Sequence, residues 1–300
     1  MLRVSDVWER ALYGPAMAVA RAGDVIVIRS GGSYDGKQGL SLATGVSSQS
    51  AGARALCLHL VTIPPGTRGV PHVHDGHESA IYTVSGETEV WHGEGLLQRT
   101  VVHAGDFMYV PPGIPHLPVN RSDVMTVAVV ARTDPEEQES VVTMKLPPHL
   151  AELDAFPVAK AGDVIVIRSG DRYEGKQGVS LAAGVSSRSA GARALCLHLV
   201  TIPPGTRGVP HVHEGHESAI YTVSGETEVW HGEGLMQRTV VRAGDFMYVP
   251  PGIPHLPVNR SDVMTVAVVA RTDPQEQESV VTISMPPHLA ELDDFPVATQ

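Results

Sequence analysis

The sequence predicts an all-β protein built as two tandem antiparallel domains, and three observations carry that prediction. Residues 22–159 recur at 161–298 without a gap, with 14 substitutions among 138 aligned positions. A unit of that length can bury a core of its own, so the repeat reads as domain duplication and not as a solenoid. Within each copy, short apolar runs alternate with turn residues, and the chain holds 30 glycines and 23 prolines, which suits a sandwich or barrel better than a helical bundle. The expected divisions are an N-terminal extension at 1–21 and domains at 22–159 and 160–300.

Along the chain, the extension has no later counterpart and predicts a short helix around Asp6–Leu12. Asp24–Arg29 alternates with β-branched residues, and Arg54–Ile63 is a longer apolar strand closed by Pro64-Pro65-Gly66. Further strands are expected at Ser79–Val84, Glu87–Trp91, Gln98–Val102, Phe107–Val110 and Val124–Ala131. Ser85-Gly86, His92-Gly93-Glu94-Gly95, Ala104-Gly105-Asp106 and Pro111-Pro112-Gly113 mark the turns between them. A brief helical segment at Pro147–Leu153, followed by Phe156-Pro157-Val158, leads into the second copy. That copy starts directly after Lys160 with no flexible spacer. So short a tether predicts that the domains pack like the halves of a symmetric dimer.

Composition excludes several roles. At 42% hydrophobic and 18% charged residues, the chain is of globular type. A formal charge of −11 without a basic stripe argues against nucleic acid. The longest apolar stretch, Val124–Ala131, is too short to span a bilayer, so no membrane partner is expected. Asp6, Glu9 and Arg10 interrupt the region where an export signal needs an apolar run, and the expected location is cytoplasmic. Cys57 and Cys196 occupy equivalent strand positions. They read as buried free thiols, with a disulfide between the copies as the alternative.

The chemistry concentrates in Gly66-Thr67-Arg68-Gly69-Val70-Pro71-His72-Val73-His74-Asp75-Gly76-His77-Glu78. Two histidines one residue apart on a strand share a face, and neutral imidazoles are common ligands of transition metals. Glu78, beyond the Asp75-Gly76 turn, offers a third donor, and His116 follows a proline-stiffened turn that fixes its approach. His211, His213, Glu217 and His255 repeat the set.

At these residues the chain resembles the cupin superfamily in both halves. Gly66, His72, His74 and Glu78 fit the family's first motif, and Gly105, Pro111, Gly113, His116 and Asn120 its second. Gly205, His211, His213, Glu217, Gly244, Pro250, Gly252, His255 and Asn259 do so again. The resemblance implies two tandem antiparallel jelly-roll β-barrels, a bicupin, each holding a metal inside. One departure stands out: seven residues separate Glu78 from Gly86, where the family usually has six. Either a β-bulge absorbs the extra residue and Glu78 is a ligand, or the register falls on Ser79 and three histidines hold the metal. His77, with His216, is the remaining competitor, otherwise a pocket-lining group.

Other residues read more plainly. His59 and His198 sit in apolar strands that line or pack the barrel. His92 and His231 fall in turns and are expected to be solvated, and His103 is replaced by Arg242 in the second copy. His149 and His288 read as structural. Tyr82, Trp91, Phe107 and Tyr109 read as core, and Arg132–Glu139 as a solvated turn.

The expected cofactor is one divalent transition metal per domain, with iron, manganese, nickel and zinc all compatible with nitrogen and oxygen donors. The expected partner is a small-molecule substrate. The first functional expectation is a cupin-type dioxygenase in which Glu78 and Glu217 act as catalytic bases. The second is a metal-dependent isomerase or lyase; a sugar-phosphate version needs a cationic clamp, for which Arg68 and Arg121 are the candidates. The third is a non-catalytic small-molecule binder.

Overall fold

The computed structural model describes residues 18–22, 24–29, 32–150, 164–168 and 172–298. The expected helix at Asp6–Leu12, the segment Phe156–Val158 and the junction at Lys160 lie outside them. In the first copy the strands and helix are β1 (Ala18–Ala22), β2 (Val25–Arg29), β3 (Ser33–Asp35), β4 (Ser41–Val46), α1 (Ser48–Ala51), β5 (Cys57–Ile63), β6 (His72–His74), β7 (Ser79–Ser85), β8 (Glu87–His92), β9 (Gln98–His103), β10 (Phe107–Val110), β11 (His116–Val119), β12 (Thr126–Arg132) and β13 (Val141–Thr143). The second copy contributes β14 (Ile165–Ile167), β15 (Arg172–Glu174), β16 (Ser180–Val185), α2 (Ser187–Ala190), β17 (Cys196–Ile202), β18 (Thr206–Arg207), β19 (His211–His213), β20 (Ser218–Ser224), β21 (Glu226–His231), β22 (Gln237–Arg242), β23 (Phe246–Val249), β24 (His255–Asn259), β25 (Thr265–Arg271) and β26 (Val280–Thr282).

Every strand pairing is antiparallel among these elements, and the architecture is all-β, as the sequence predicts. Each barrel faces one large sheet with one smaller sheet. In the first, β14-β10-β7-β12-β5-β4-β3 faces β13-β6-β11-β8-β9. The second pairs an eight-stranded sheet, β1-β2-β23-β20-β25-β17-β16-β15, with a sheet of β22-β21-β24-β19-β26 to which β18 adds at β24. The strands β3, β4 and β13 go beyond the sequence expectation, because Ser, Thr and Gly dilute their apolar signal. Arg54–Leu56 precedes β5 instead of belonging to it.

The repeat boundaries do not divide the sheets. Strand β2 of the first copy pairs with β23 of the second through Ile26–Tyr248, Val27–Met247 and Ile28–Phe246. Reciprocally, β14 of the second copy pairs with β10 of the first. Each barrel is therefore completed by a strand of the other copy. Arg29 pairs with Asp245 at 2.9 Å, and Arg168 pairs with Asp106, tying both exchanged strands at their ends.

Alternation along the large sheets sorts side chains into two interiors. On β5 and β12, Leu58, Leu60 and Val129 face the other barrel and join Ile26, Leu197, Tyr221, Phe246 and Val268 in one apolar cluster shared by both copies. Val61, Ile63 and Val130 face inward and help line a cavity within the first barrel. Cys57 and Cys196 are free and buried. Tyr82 packs against the shared cluster that contains Phe107 and Tyr109, and Trp91 packs in a separate core beneath β8 and β11. No helix among the described residues is long and apolar enough to cross a membrane.

Candidate metal centre

Strand β6 carries His72 and His74 on one face, two residues apart. Strand β11 runs antiparallel beside it and sets His116 directly opposite His72. The ring centroids of His72 and His116 lie 4.2 Å apart, with His74 at 5.0 Å from His72 and 5.2 Å from His116. In the second barrel His211, His213 and His255 repeat this at 4.1, 4.9 and 5.2 Å. One donor atom from each histidine lies within 4.8 Å of the others in both triads.

The hydrogen bonding suits metal ligation. His72 Nδ1–H donates to Val70 O at 2.8 Å, and His116 Nδ1–H donates to Ile114 O at 2.9 Å. Each bond fixes the tautomer and leaves Nε2 as a lone-pair donor. His211 and His255 make the matching bonds to Val209 and Ile253. Burial, followed by the positive charges of Arg132 and the neighbouring imidazoles, holds the proton affinity of His72 and His74 well below the usual range. Burial brings His116 and His255 down to about 4. Neutral imidazoles are what a cation requires. Three buried nitrogen donors converging in each barrel therefore fit one divalent transition metal per domain.

Glu78 and Glu217, expected as ligands and bases, are not brought to these centres. The Glu78 carboxylate accepts hydrogen bonds from the backbone N–H of Arg193 at 2.8 Å and Ala194 at 3.1 Å, both in the other copy. Glu217 returns the contact on Arg54 and Ala55 at the same distances. The cause is strand parity. Ser79, Ile81 and Thr83 face the cavity, so Glu78 has the outward parity. A one-residue slip between β7 and β12 does occur, at Val84, between the pairs Val127–Ser85 and Ala128–Thr83. It lies beyond the stretch that orients Ser79. His77 and His216 are not in the triads either; their Nδ1–H groups donate to Thr133 O and Thr272 O.

The cavity beside His72, His74 and His116 measures about 80 Å³, and its counterpart about 90 Å³. Their linings match position for position except that Leu40 is replaced by Val179. Two lining residues had not been singled out in the sequence. Arg132 ends β12 and is 3% exposed, with Nε donating to Ser79 Oγ at 3.3 Å and one terminal nitrogen to Glu137 O at 2.6 Å. It was expected in a solvated turn, yet the parity of Ala128 and Val130 turns it inward. Gln38 is the other, buried, with a side-chain oxygen that has no partner.

Further expectations change here. His92 and His231 are buried at strand ends beside His116 and His255 instead of being solvated. His59 and His198 are fully buried beside cysteine sulfurs, at 3.6 and 3.4 Å. Arg121 pairs with Glu89, and exposed Arg68 donates to Gly69 O, so the expected phosphate clamp is not formed at the cavity.

Comparisons with known proteins agree with this geometry. The family model described as "Cupin domain" matches residues 59–131 and again 198–270. No curated protein matches the chain. Among solved structures, Bacillus subtilis oxalate decarboxylase at pH 4.6 superimposes with a TM-score of 0.67 at 17% identity, over 90% of this chain and 84% of that one. A substituted form of that enzyme gives 0.69 at 16% identity, over 91% and 86%. The formate complex of Lactobacillus farciminis oxalate decarboxylase gives 0.64 at 14% identity, over 82% and 85%. At such identities the likeness is one of fold.

Proposed function

The chain belongs to the cupin superfamily as a two-domain member, and from that premise we propose that each barrel is a metal-dependent catalytic centre for a small organic molecule. Oxygenation of the substrate is the chemistry the lining supports best. The supporting observation is the make-up of the described lining: outside the three histidines, its polar residues in the first cavity are Gln38, Ser79, Thr83, Thr88, Thr126 and Arg132. None accepts a proton at neutral pH. A reaction that moves protons through side chains has little to use here, whereas oxygenation centred on the ion needs less from them. A bound divalent transition ion supplies Lewis acidity and, when redox-active, the electrons for dioxygen chemistry. His72, His74 and His116 would hold it, Ser79 and Arg132 would orient the substrate, and the aliphatic walls would keep bulk water out.

The fold shared with oxalate decarboxylases favours a second reading, a lyase that breaks a carbon–carbon bond to a carboxylate. A sugar-phosphate isomerase loses support with Arg68 and Arg121 away from the cavity. The formal charge of −11 favours a small molecule over nucleic acid as the partner. The two barrels are further proposed to relate as halves of a pseudo-dimer, in keeping with the reciprocal glutamate contacts and exchanged strands.

The test is oxygen uptake and carbon dioxide release by Fe(II)- or Mn(II)-loaded protein on a panel of small enolisable carbonyl compounds and carboxylates. Oxygen uptake that disappears when His72, His74, His211 and His213 are all replaced by alanine is the expected result. Carbon dioxide release without oxygen uptake supports the lyase. Saturable binding with neither gas exchanged would replace both with a binding role.

A further inference from the structure

The chain departs from its family's expected ligand set in a way that changes the charge of the site. Glu78 is withdrawn to the other copy's backbone, so the donors facing each ion are neutral imidazoles. Arg132 remains in the same cavity. It is 3% exposed, and among the described residues no carboxylate forms an ion pair with it. Its hydrogen bonds go to a hydroxyl and a backbone carbonyl and bring no negative charge. Arg271 repeats the arrangement with Ser218 and Glu276 at 3.3 and 2.6 Å. The carboxylates of Asp273 and Glu276 act on Arg271 through space, but neither closes to an ion pair, and a buried guanidinium without a paired carboxylate is costly. With a divalent ion nearby, the cavity concentrates positive charge, and its described lining residues include no carboxylate.

The rest of the lining bounds what the missing anion can be. Leu40, Val61, Ile63, Val90, Val102 and Met108 make most of the wall apolar. The volume of about 80 Å³ has room for roughly five to eight water-sized groups, taking 10–15 Å³ for each. Gln38 also lines the cavity with a buried side-chain oxygen that has no partner, and Gln177 matches it in the second barrel; as an acceptor, that oxygen does not face the charged end of an anion.

We propose that each cavity takes a small monocarboxylate with a short aliphatic body, its carboxylate held by Arg132 in the first barrel and Arg271 in the second. A guanidinium matches a carboxylate by a charged, directional pair of N–H donors, and a single cation among aliphatic walls suits one carboxylate better than two. The placement beside the ion rests on the metal-centre reading above, but recognition by the arginine does not.

Calorimetric titration of isobutyrate against isobutyramide tests this, because the two differ in charge and scarcely in shape. It is done on metal-free protein and on protein loaded with Mn(II), with metal content measured in parallel. The expected result is at least tenfold tighter binding of isobutyrate in both forms, and loss of that preference in Arg132→Met/Arg271→Met. Equal affinity for the two probes, a preference that vanishes when the metal is removed, or one that survives the double substitution overturns the proposal. If the methionine variant fails to fold, Arg132→Lys/Arg271→Lys takes its place. It should bind isobutyrate at least threefold more weakly, and unchanged affinity overturns the proposal. Protein that takes up no Mn(II) contradicts the metal-centre reading alone, since the metal-free comparison still decides the role of the arginines.

Discussion

A carboxylate next to a metal motif has two competing uses, and in Glu78 the backbone of the other copy wins. The buried carboxylate accepts two N–H groups that would otherwise lack partners, and leaving such donors unsatisfied costs about 1–3 kcal/mol. Tyr109 donates its hydroxyl to the same group, and burial together with that charge pushes the phenol's proton affinity up. Glu78→Gln/Glu217→Gln turns one amide N–H₂ at each position against a backbone donor. We expect the thermal midpoint to fall by several degrees while elemental analysis still finds two metal ions per chain. Loss of half or more of the metal would instead return Glu78 to the coordination sphere. The histidines were legible in the sequence because i, i+2 parity and the second motif specify them. Glu78 was not, because one residue of strand register separates an inward side chain from an outward one. Arg132 was hidden by the turn-like residues that follow it, Thr133, Asp134 and Pro135, although counting by twos from Ala128 through Val130 reaches it.

At the scale of elements, the two large sheets press together so closely that some strand positions have no space for a side chain. A Cβ at Gly45 on β4 would lie 1.9 Å from Leu58 O and 2.8 Å from the ring of Phe246 in the other copy. Gly184 on β16 faces Leu197 O and Phe107 in the same way. Gly45→Ala therefore has to part β4 from β5 or displace a core phenylalanine, and overpacking of this kind costs about 1–3 kcal/mol. Chemical denaturation should show that loss, while Thr44→Ala, which copies Ala183 of the second repeat, should stay within about 0.5 kcal/mol of the parent. A Gly45→Ala protein as stable as the parent would mean that the sheets are farther apart than described. The sequence announced most strands that enter this contact through their alternation. It could not announce which barrel β2 and β14 enter, because Val25-Ile26-Val27-Ile28-Arg29 and Val164-Ile165-Val166-Ile167-Arg168 are identical. Two copies with the same strand offer the same pairing energy in either partner, and only chain connectivity breaks the tie.

That connectivity governs the whole molecule. In the first barrel, β3 lies at one edge of the seven-stranded sheet and β14 at the other. Six strand spacings separate them, roughly 28 Å along the sheet. The three residues between β2 and β3, 30–32, leave four Cα steps from Arg29 to Ser33, about 14 Å when extended. Strand β2 is thus too short of tether to take the β14 position in its own sheet, and it crosses to the other barrel. Residues 1–159 produced alone should face the same restriction, with one difference: the only acceptor for β2 is a second copy of themselves. With 14 differences in 138 aligned positions, that copy presents nearly the same edge at β10 and nearly the same apolar face, including Leu58, Leu60 and Phe107. Sedimentation equilibrium of this half should give twice the chain mass, with Glu78 meeting the backbone at Arg54 and Ala55 of its partner. A folded monomer would show that β2 can return to its own sheet, and the exchange of strands would then be a product of the tandem linkage and not of the barrel itself.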